Sequence, residues 1–452
     1  MLSVSQILAI IIFVLMFIAF ASNKIKRHIA ALGGAVIMII VVFLGVMHAP
    51  GALGEFFNIN QLGQSWFWLP GAHAVEMPGF NWQTIIFIGT MMIIVEWLQA
   101  AGLFRWMCLY TARLVGCRAV PILISFIVLS GFLSMFIGSI TVMLFLSMVT
   151  IELGRLLKFN PVPIIIAEVF ASNVGGAATL SGDPPNIIIG TAFGYTFTDF
   201  ITNTGVIAWA GMLLSIIYFY FVFREPLKQG AKPEELMQSC PLPGSAIVNR
   251  RDFNLAIAVF ILVIVLLITH AYTGLSIASI GVIGAVLSLI LAGKFACELI
   301  THIDWRTLLF FVGLFICVGG LEVSGVLVKV AGLIGDIAGS NTGIAITFIL
   351  WISTILSAFV DNIPFAAAMV PVIASLANTG GISLPAMAWA LSLGADIGGN
   401  ATPIGASANV VGIAVAEKEG YAIGWGRFMK YAVPPTILVI GLCQALLYWR
   451  YA

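Results

Sequence analysis

The feature that most constrains this chain is a polar stretch, residues 171–186, inside a long apolar segment. It contains two adjacent glycines, Gly175 and Gly176, and it ends in Asp183-Pro184-Pro185-Asn186. A membrane-spanning helix satisfies its backbone hydrogen bonds internally, and freed groups are tolerated only beside protein or a water-lined cavity. The composition therefore predicts an interrupted helix and, with it, a binding site at membrane depth.

The same pattern recurs in the second half of the chain, at residues 396–409, at an offset of 223 in the numbering. Aligned without a gap, 173–186 and 396–409 agree at their helix-breaking and polar positions. The identical pairs are Gly175/Gly398, Gly176/Gly399, Ala178/Ala401, Thr179/Thr402, Gly182/Gly405 and Asn186/Asn409. Two such interruptions at corresponding positions are typical of transporters built from two repeats. The alternative is a pair of glycine-rich helix-packing faces, which would not require the Asp-Pro-Pro-Asn sequence.

Composition indicates a membrane protein. Of the 452 residues, 61% are hydrophobic and 9% are charged, against about 25% charged in soluble proteins. The net charge of +1 and the lack of a basic run give no indication of nucleic-acid binding. The six cysteines form no CxxC pair and no metal-binding spacing, so we interpret them as ordinary apolar residues: Cys108, Cys117, Cys240, Cys297, Cys317 and Cys443.

Two of the apolar segments, 119–153 and 342–376, are too long for one crossing and carry polar residues in the middle, which predicts re-entrant hairpins. The others predict ten crossings, two of them interrupted. The first segment is interpreted as a retained helix, because its positive charges follow it. The segments lie at roughly 4–22, 29–48, 82–103, 119–153, 160–195, 204–223, 253–271, 275–293, 306–336, 342–376, 384–416 and 431–449.

The basic residues indicate the orientation. With the N-terminus outside, the cytoplasmic segments are 23–28, 104–118, 154–159, 224–252, 294–306 and 417–430. They contain all of the 20 Lys and Arg residues but Lys329 and Arg450, as the positive-inside rule requires. The linker 224–252 is then cytoplasmic, and the segment 49–81, which has no basic residue, is external. We expect an integral protein of a bacterial inner or plasma membrane.

The repeat extends beyond the interrupted segments. Trp82/Trp305 and Ser134/Ser357 keep the offset of 223, whereas Gly34/Gly284 differ by 250, so 49–81 is an insertion in the first half. Each half has five crossings and a hairpin, and an odd number of crossings inverts the second half. The predicted fold is an all-α polytopic membrane protein of two inverted repeats, residues 1–223 and 253–452, joined by the linker 224–252.

The predicted hairpin bends carry short polar side chains, Ser139 and Thr141 in the first and Asp361 and Asn362 in the second. Helix N-termini at such bends suit an anion, and their oxygen atoms suit Na+. The alternative for Ser139 and Thr141 is hydrogen bonding within their own turn.

Carboxylates inside the membrane are expected to be functional. We predict Asp361 and Asp396 as coupling-ion or proton sites, with helix capping as the alternative, and Asp361→Asn should abolish coupled transport without unfolding the protein. For Asp183, a role in an ion site and a role in a turn formed by Asp-Pro-Pro are equally good interpretations. Glu168 fits a proton carrier or a buried hydrogen-bonding group. Structural roles are expected for the remaining two, Glu96 and Glu322.

Several motifs of enzymes and pumps are missing from the sequence. There is no HExxH, no phosphate-binding Gly-x-x-x-x-Gly-Lys-Ser/Thr loop and no Ser/His pairing, which argues against an intramembrane hydrolase or an ATP-driven pump. We expect no enzyme activity and no cofactor. Energy would come from an ion gradient, with a separate ATPase subunit left open.

The stretches 172–186 and 399–411 resemble the ion transporter superfamily, and within it the branch of arsenite/antimonite permeases, the P protein and sodium/proton antiporters, which have a citrate-transporter-like domain. The segment 416–421 adds to the likeness. The resemblance implies an elevator-type secondary transporter, often a homodimer. Its scaffold would comprise about 1–118 and 253–336, and its mobile transport domain about 119–223 and 342–452.

Sodium sites in this family pair a hairpin tip with the adjacent interrupted-helix loop, which implies Na+ near Asn173 and near Asp396. With this resemblance, the predicted substrate- and ion-binding residues are Ser139, Thr141, Asn173, Gly175, Gly176, Thr179, Gly182, Asp183, Asn186, Asp361, Asn362, Asp396, Gly398, Gly399, Asn400, Thr402, Ser407 and Asn409.

The substrate is less constrained. Dicarboxylate carriers of the superfamily have a Ser-Asn-Thr tip, which neither 139–141 nor 361–364 reproduces, and this argues against a dicarboxylate. No Arg or Lys lies in the polar elements, so an anion would be held by helix dipoles and hydroxyls. Three functions remain: an ion-coupled permease for a small inorganic or organic anion, including arsenite; a Na+/H+ antiporter; and a passive anion channel.

Overall fold

A computed structural model describes residues 2–22, 25–48, 50–69, 80–228, 233–339 and 341–452. All regular structure in these ranges is helical, which confirms the predicted all-α membrane class. Eight helical segments are long and apolar enough to cross a membrane: Arg27–Val46, Trp82–Ala100, Ser139–Leu156, Phe197–Phe223, Arg250–Thr273, Ile277–Thr301, Trp305–Val323 and Trp425–Tyr451. Their exposed apolar side chains, such as Ile261 and Val265, suit contact with lipid.

The helices of the first half are α1 (Val4–Ser22), α2 (Arg27–Ile37), α3 (Pro50–Phe57), α4 (Ser65–Trp68), α5 (Trp82–Ala100), α6 (Leu103–Leu114), α7 (Ala119–Ser134), α8 (Ser139–Leu156), α9 (Val162–Gly176), α10 (Pro184–Phe193), α11 (Phe197–Phe200) and α12 (Val206–Phe223). Two π-helical stretches are continuous with them: Met38–Val46 extends α2, and Ile201–Gly205 joins α11 to α12.

The linker and the second half contain α13 (Pro233–Ser239), α14 (Arg250–Thr273), α15 (Ile277–Ala292), α16 (Ala296–Thr301), α17 (Trp305–Val323), α18 (Val326–Ala338), α19 (Thr342–Ser357), α20 (Asn362–Gly380), α21 (Leu384–Gly398), α22 (Ser407–Lys418) and α23 (Trp425–Tyr451).

The polar stretches coincide with helix ends. The helix α9 ends at Gly176 and α10 begins at Pro184, while α21 ends at Gly398 and α22 begins at Ser407. The two long apolar segments are each divided as well, by residues 135–138 between α7 and α8 and by residues 358–361 between α19 and α20. Glycines therefore end α9 and α21, and a proline begins α10.

One further boundary was not predicted. The segment 306–336 was expected to be one continuous crossing, which is wrong, because Gly325 adopts a positive φ of 77° between α17 and α18. Gly102, with φ 89°, separates α5 from α6 in the same way, near the predicted end of the segment 82–103. Glycine reaches this left-handed conformation without a steric penalty and so ends a helix readily.

The helices pack in two groups. In the first, α2 lies against α1 and α17, and α5 lies against α15, which also contacts α14. In the second, α7 and α8 pack on α9, α19 packs on α21, and α12 packs on α23. The groups meet where α10 contacts α5, where α20 contacts α17 and α18, and where α6 contacts α7 and α8. Smaller contacts join α18 to α19 and α11 to α14. Both interrupted helices, α9–α10 and α21–α22, lie in the second group.

The interpretation of all cysteines as ordinary apolar residues is wrong for two of them. Cys117 and Cys240, 123 residues apart, form a disulfide. It joins the turn between α6 and α7 to the linker segment that follows α13, where Arg113 also donates to the Cys240 carbonyl at 2.9 Å. A bridge between distant segments leaves no spacing signal in the sequence, which is why motif analysis missed it.

Candidate functional site

Each interrupted helix is closed by an asparagine of its second half. Asn186 Nδ2 donates to the carbonyls of Gly176 at 2.9 Å and Thr179 at 3.0 Å. Asn409 Nδ2 donates to the carbonyls of Gly399 at 2.8 Å and Thr402 at 2.7 Å. Both asparagines are fully buried. Carbonyls freed by the helix interruption are thus satisfied by side-chain amides, as burial requires.

Each loop is also fixed to the neighbouring hairpin tip through a threonine. Thr179 Oγ1 donates to the carbonyl of Met135, and Thr402 Oγ1 donates to the carbonyl of Ala358. The two donors correspond to each other in the repeat, and so do the two acceptors. The sequence offset of 223 that aligns the two loops therefore also relates their hydrogen bonds to the hairpin tips.

The repeated spacing of glycines reflects close backbone contacts. A Cβ atom built on Gly175 would lie 2.1 Å from the Gly131 carbonyl oxygen, and one on Gly398 would lie 2.4 Å from the Thr354 Cα. Side chains cannot occupy these distances without moving a helix. Gly182 and Gly405 similarly face the backbones of Gly176 and Gly399.

The two loops contact each other. Asn173 Nδ2 donates to Asn400 Oδ1 at 2.8 Å and to Asn409 Oδ1 at 2.9 Å. In a further contact the donor belongs to the second half: Ser392 Oγ donates to Asn186 Oδ1 at 2.6 Å. Stretches from the two halves of the chain therefore form one buried polar cluster.

Two carboxylates lie in this cluster, bridged by one amide. Asn362 Nδ2 donates to Asp183 Oδ2 at 2.8 Å and to Asp396 Oδ1 at 3.1 Å. Asp183 also accepts from Ser139 Oγ at 2.7 Å. The contact of Asn362 with Asp396 agrees with the tip-and-loop pairing that the resemblance implies. Ser139, at the first tip, instead contacts Asp183, whereas the resemblance implies a sodium ion near Asn173.

The carboxylate pair has no cationic partner in the described ranges. Asp396 is fully buried and Asp183 is 5% exposed, and neither takes part in an ion pair of the described residues. Asp396 Oδ2 and Asn173 Oδ1 are buried without a hydrogen-bond partner. Burying unpaired charge is costly, so this oxygen-rich cluster is suited to hold a proton or a hard cation.

The third carboxylate, Asp361, has a different environment. Its Oδ1 accepts from the Ile363 backbone N–H at 3.3 Å and so caps α20. Its Oδ2 accepts from Ser407 Oγ at 2.8 Å and from the guanidinium of Arg27, which also donates to Ser407 at 2.7 Å. No Arg or Lys lies within the polar elements themselves, but α2 brings the guanidinium of Arg27 to Asp361 and Ser407.

A cavity of about 300 Å³ adjoins the carboxylate pair. Ser139, Thr141 and Asp183 line it, and it extends to Glu96 near the end of α5. There Glu96 lies 3.4 Å from His302 Nδ1. Thr141 is thus placed at the cavity wall, in the first turn of α8, which leaves both of its sequence interpretations open.

A second cavity, of about 380 Å³, lies at the other end of α5. Its wall includes Asn81 and Gln83 from the start of α5, and Glu322 from the end of α17. The helices α10 and α20 begin at the carboxylate pair and continue along this cavity. The two cavities therefore lie at different levels of α5, α10 and α20, the first beside Asp183 and the second toward the C-terminal ends of α10 and α20.

Glu168 stands apart from the cluster. It is fully buried in α9, its Oε1 accepts from Thr150 Oγ1 at 2.5 Å, and its Oε2 has no hydrogen-bond partner. The bond to Thr150 joins α9 to α8. The geometry shows a buried hydrogen-bonding group, and the proton-carrier interpretation stays a prediction.

The structure thus brings nearly all predicted site residues into one region. Those in the loop and tip contacts are Ser139, Asn173, Gly175, Gly176, Thr179, Gly182, Asp183, Asn186, Asp361, Asn362, Asp396, Gly398, Gly399, Asn400, Thr402, Ser407 and Asn409. Sequence reasoning missed Arg27 and Ser392. Ser392 lies a turn before the second polar stretch, where a serine in an apolar helix was the available signal.

The helical membrane fold and the two interrupted helices that meet in a buried polar cluster define a membrane transporter. The chain belongs to the citrate transporter family, whose profile matches residues 15–394. The "46 kDa membrane protein" of Mycobacterium leprae is 31% identical, with 99% of each chain covered. The human P protein is 30% identical over 83% of this chain and 54% of its own length. The resemblance to the P-protein branch is confirmed.

Two solved structures have the same fold at low sequence identity. The YdaH transporter of Alcanivorax borkumensis has a TM-score of 0.56 and 14% identity, with 98% of this chain and 97% of that chain covered. MtrF of Neisseria gonorrhoeae, from a class of antimetabolite efflux pumps, has a TM-score of 0.55 and 13% identity, with 99% and 95% covered. At these identities the likeness concerns the fold.

Proposed function

We propose that this protein is a secondary active transporter that moves a small anion across the membrane, coupled to H+ or Na+. The observation that carries the proposal is the buried pair Asp183 and Asp396, bridged by Asn362. The pair has no cationic partner in the described part of the chain, and Asp396 Oδ2 has no hydrogen bond. A proton or a sodium ion bound there would neutralise charge that is otherwise expensive to bury.

The atoms that could bind the coupling ion are oxygens. The cluster offers carboxylate, amide and hydroxyl oxygens from Asp396, Asn173 and Ser139, which are ligands of hard cations. No group of three His, Cys, Asp or Glu that could hold a metal ion occurs in the described ranges. The cluster therefore favours H+ or Na+ over a transition metal.

The anion would be attracted by helix N-termini. The helices α8, α10, α20 and α22 begin at Ser139, Pro184, Asn362 and Ser407, and all four starts lie in or beside the polar cluster. Unsatisfied N–H groups and the helix dipole make such ends favourable for negative charge. Arg27 adds one positive side chain at this place. A small oxyanion of the arsenite type is among the substrates that fit.

The mechanism we propose is alternating access by two inverted repeats, with an elevator-like movement of α7–α12 and α19–α23 against α1–α6 and α14–α18. Asn186 and Asn409 donate to corresponding carbonyls of their loops, which supports two structurally similar repeats. The division of helix contacts into two groups supports the relative movement. Cavities of about 300 and 380 Å³ at opposite ends of α5 supply approaches from the two sides.

A Na+/H+ antiporter is the second candidate. It is favoured by the charge of the region, where three carboxylates, Asp183, Asp361 and Asp396, face one guanidinium, that of Arg27. An excess of negative charge suits cations better than an anion.

Transport by purified protein in vesicles tests both candidates. Uptake of arsenite, citrate and inorganic phosphate would be measured with and without Na+ and pH gradients, alongside an Asp396→Asn variant. We expect uptake of an anion that a cation gradient accelerates in the wild-type protein and does not accelerate in the variant. Acidification or alkalinisation driven by Na+ without any anion would indicate the antiporter. Anion flux that no cation gradient biases would contradict coupling.

A further inference from the structure

The contact of Arg27 with Asp361 and Ser407 joins the two helix groups. Arg27 is the first residue of α2, which packs on α1 and α17, whereas Asp361 and Ser407 start α20 and α22 in the other group. We propose that this contact is a latch: it holds the second hairpin against α2 in one state and must open in every transport cycle. The inference rests on the proposed movement.

Burial makes the contact sensitive to the loss of either partner. The Asp361 side chain is 4% exposed and that of Arg27 is 32% exposed. Removing one partner from a buried ion pair leaves the other charge unpaired, which is strongly unfavourable. The other oxygen of this carboxylate caps α20 through the Ile363 N–H at 3.3 Å, so Asp361 is also held to the hairpin tip. In the proposed cycle the pair separates when the tip moves away from α2.

The latch has no counterpart in the first hairpin. The position that the repeat aligns with Asp361 is Gly138, which has no side chain to pair. The position that corresponds to Arg27, at the upstream offset of 250, is Ile277. One end of the movement is thus stabilised by an ion pair and the other is not, so the latch biases the resting protein toward a single state.

The orientation from the basic residues identifies that state. Arg27 lies in the segment predicted to be cytoplasmic, whereas the second hairpin is predicted to enter from outside. A tip that reaches Arg27 is therefore displaced toward the cytoplasm. The cavity beside Asp183 extends in the same direction, to His302 in the predicted cytoplasmic segment 294–306. The latch stabilises the inward-facing state.

A double-mutant cycle tests whether the two residues act through each other. Arg27→Gln and Asp361→Asn would be compared singly and together, since an asparagine at the second position keeps an acceptor for the Ile363 N–H. We expect each single change to alter the inward-to-outward ratio by about tenfold, and the double variant to resemble either single one. Additive effects would overturn the latch. Arg105→Gln, which removes an exposed pair with Glu152, is the matched control and should change nothing.

Cross-linking and hydrogen exchange provide readouts that do not depend on the substrate. A cleavable bifunctional thiol reagent applied to Arg27→Cys/Ser407→Cys should trap the inward state and block transport until it is cleaved, with the two single variants as controls. In Arg27→Gln, amides of 358–364 and 405–409 should exchange faster than in Arg105→Gln. Unchanged exchange would refute the latch even if transport itself proved absent, and full transport by cross-linked protein would refute it equally.

Discussion

Asn186 and Asn409 play the same part in the two interrupted helices. Each donates through Nδ2 to two carbonyls of its own loop, at 2.7–3.0 Å. Each also accepts through Oδ1 from a residue of the other half, Ser392 or Asn173. The asparagines therefore fix the shape of each loop and join the halves.

Replacing either asparagine by alanine should destabilise its loop and abolish transport. Two buried carbonyls would lose their donor, and each unsatisfied group costs about 1–3 kcal/mol. Thermal unfolding in detergent and vesicle uptake would measure the two effects. Asn249→Ala, which removes an exposed cap of α14, is the control. Wild-type uptake by Asn409→Ala would exclude the loop from the site.

Asp396→Asn should remove the dependence of transport on the cation gradient while the protein stays folded. Asparagine has nearly the same shape, and an amide has no charge to neutralise at the position where Oδ2 lacks a partner. Uptake with and without Na+ or pH gradients is the measurement, and size-exclusion chromatography checks folding. Retained gradient dependence would remove Asp396 from the coupling site.

Gly175→Ala and Gly398→Ala should both impair folding. The added methyl groups would lie 2.1 Å and 2.4 Å from backbone atoms of Gly131 and Thr354, and such overpacking costs about 1–3 kcal/mol or more. Expression level and unfolding temperature would report the change. Gly441→Ala is the control, because a Cβ there meets nothing within 4 Å. Equal stability of all three variants would contradict the close packing.

The native protein should contain a bridged pair of cysteines. Alkylation without reduction, followed by peptide mapping, should leave Cys117 and Cys240 unmodified and linked. Cys117→Ser should lower the unfolding temperature, because the bridge restricts the unfolded chain, whereas Cys297→Ser, at an exposed free thiol, should not. Alkylation of both cysteines in unreduced protein would show that the bridge is absent under those conditions.

The exposed thiol of Cys297 reports the orientation of the chain. The other free cysteines of the described ranges, Cys108, Cys317 and Cys443, are buried. Because 294–306 is predicted to be cytoplasmic, an impermeant maleimide should label Cys297 in inside-out vesicles and not in intact cells. The reverse pattern would invert the proposed topology. Cys297→Ser identifies the labelled site.

The sequence predicted the membrane class and the interruptions, because Gly, Pro and Asp in an apolar segment have a local physical consequence. It also predicted that Asn186 and Asn409 are equivalent, since both follow a Gly-rich loop at the same spacing. The pairing of 173–186 with 396–409 followed from the expectation of a shared site.

Contacts between distant segments could not be predicted. Arg27 lies 334 residues from Asp361 in the sequence. The positive-inside rule already accounted for a basic residue at position 27, so nothing indicated a contact with the second half. Cys117 and Cys240 belong to separate segments with unremarkable spacing. Asn362 was expected beside Asp396, but its second contact with Asp183 arises from packing of the two halves, which no spacing in either half encodes.

Asn173 and Asp396 occupy equivalent places, yet only one of them is an acid. Two copies of the same residue would have placed an acid in both halves, whereas this chain has an acid at only one of these two places. The proposed coupling then has an electrical consequence if one cation binds in each cycle. A monovalent anion moving with one cation carries no net charge, so membrane voltage would not drive it, whereas a divalent anion would make the same cycle electrogenic.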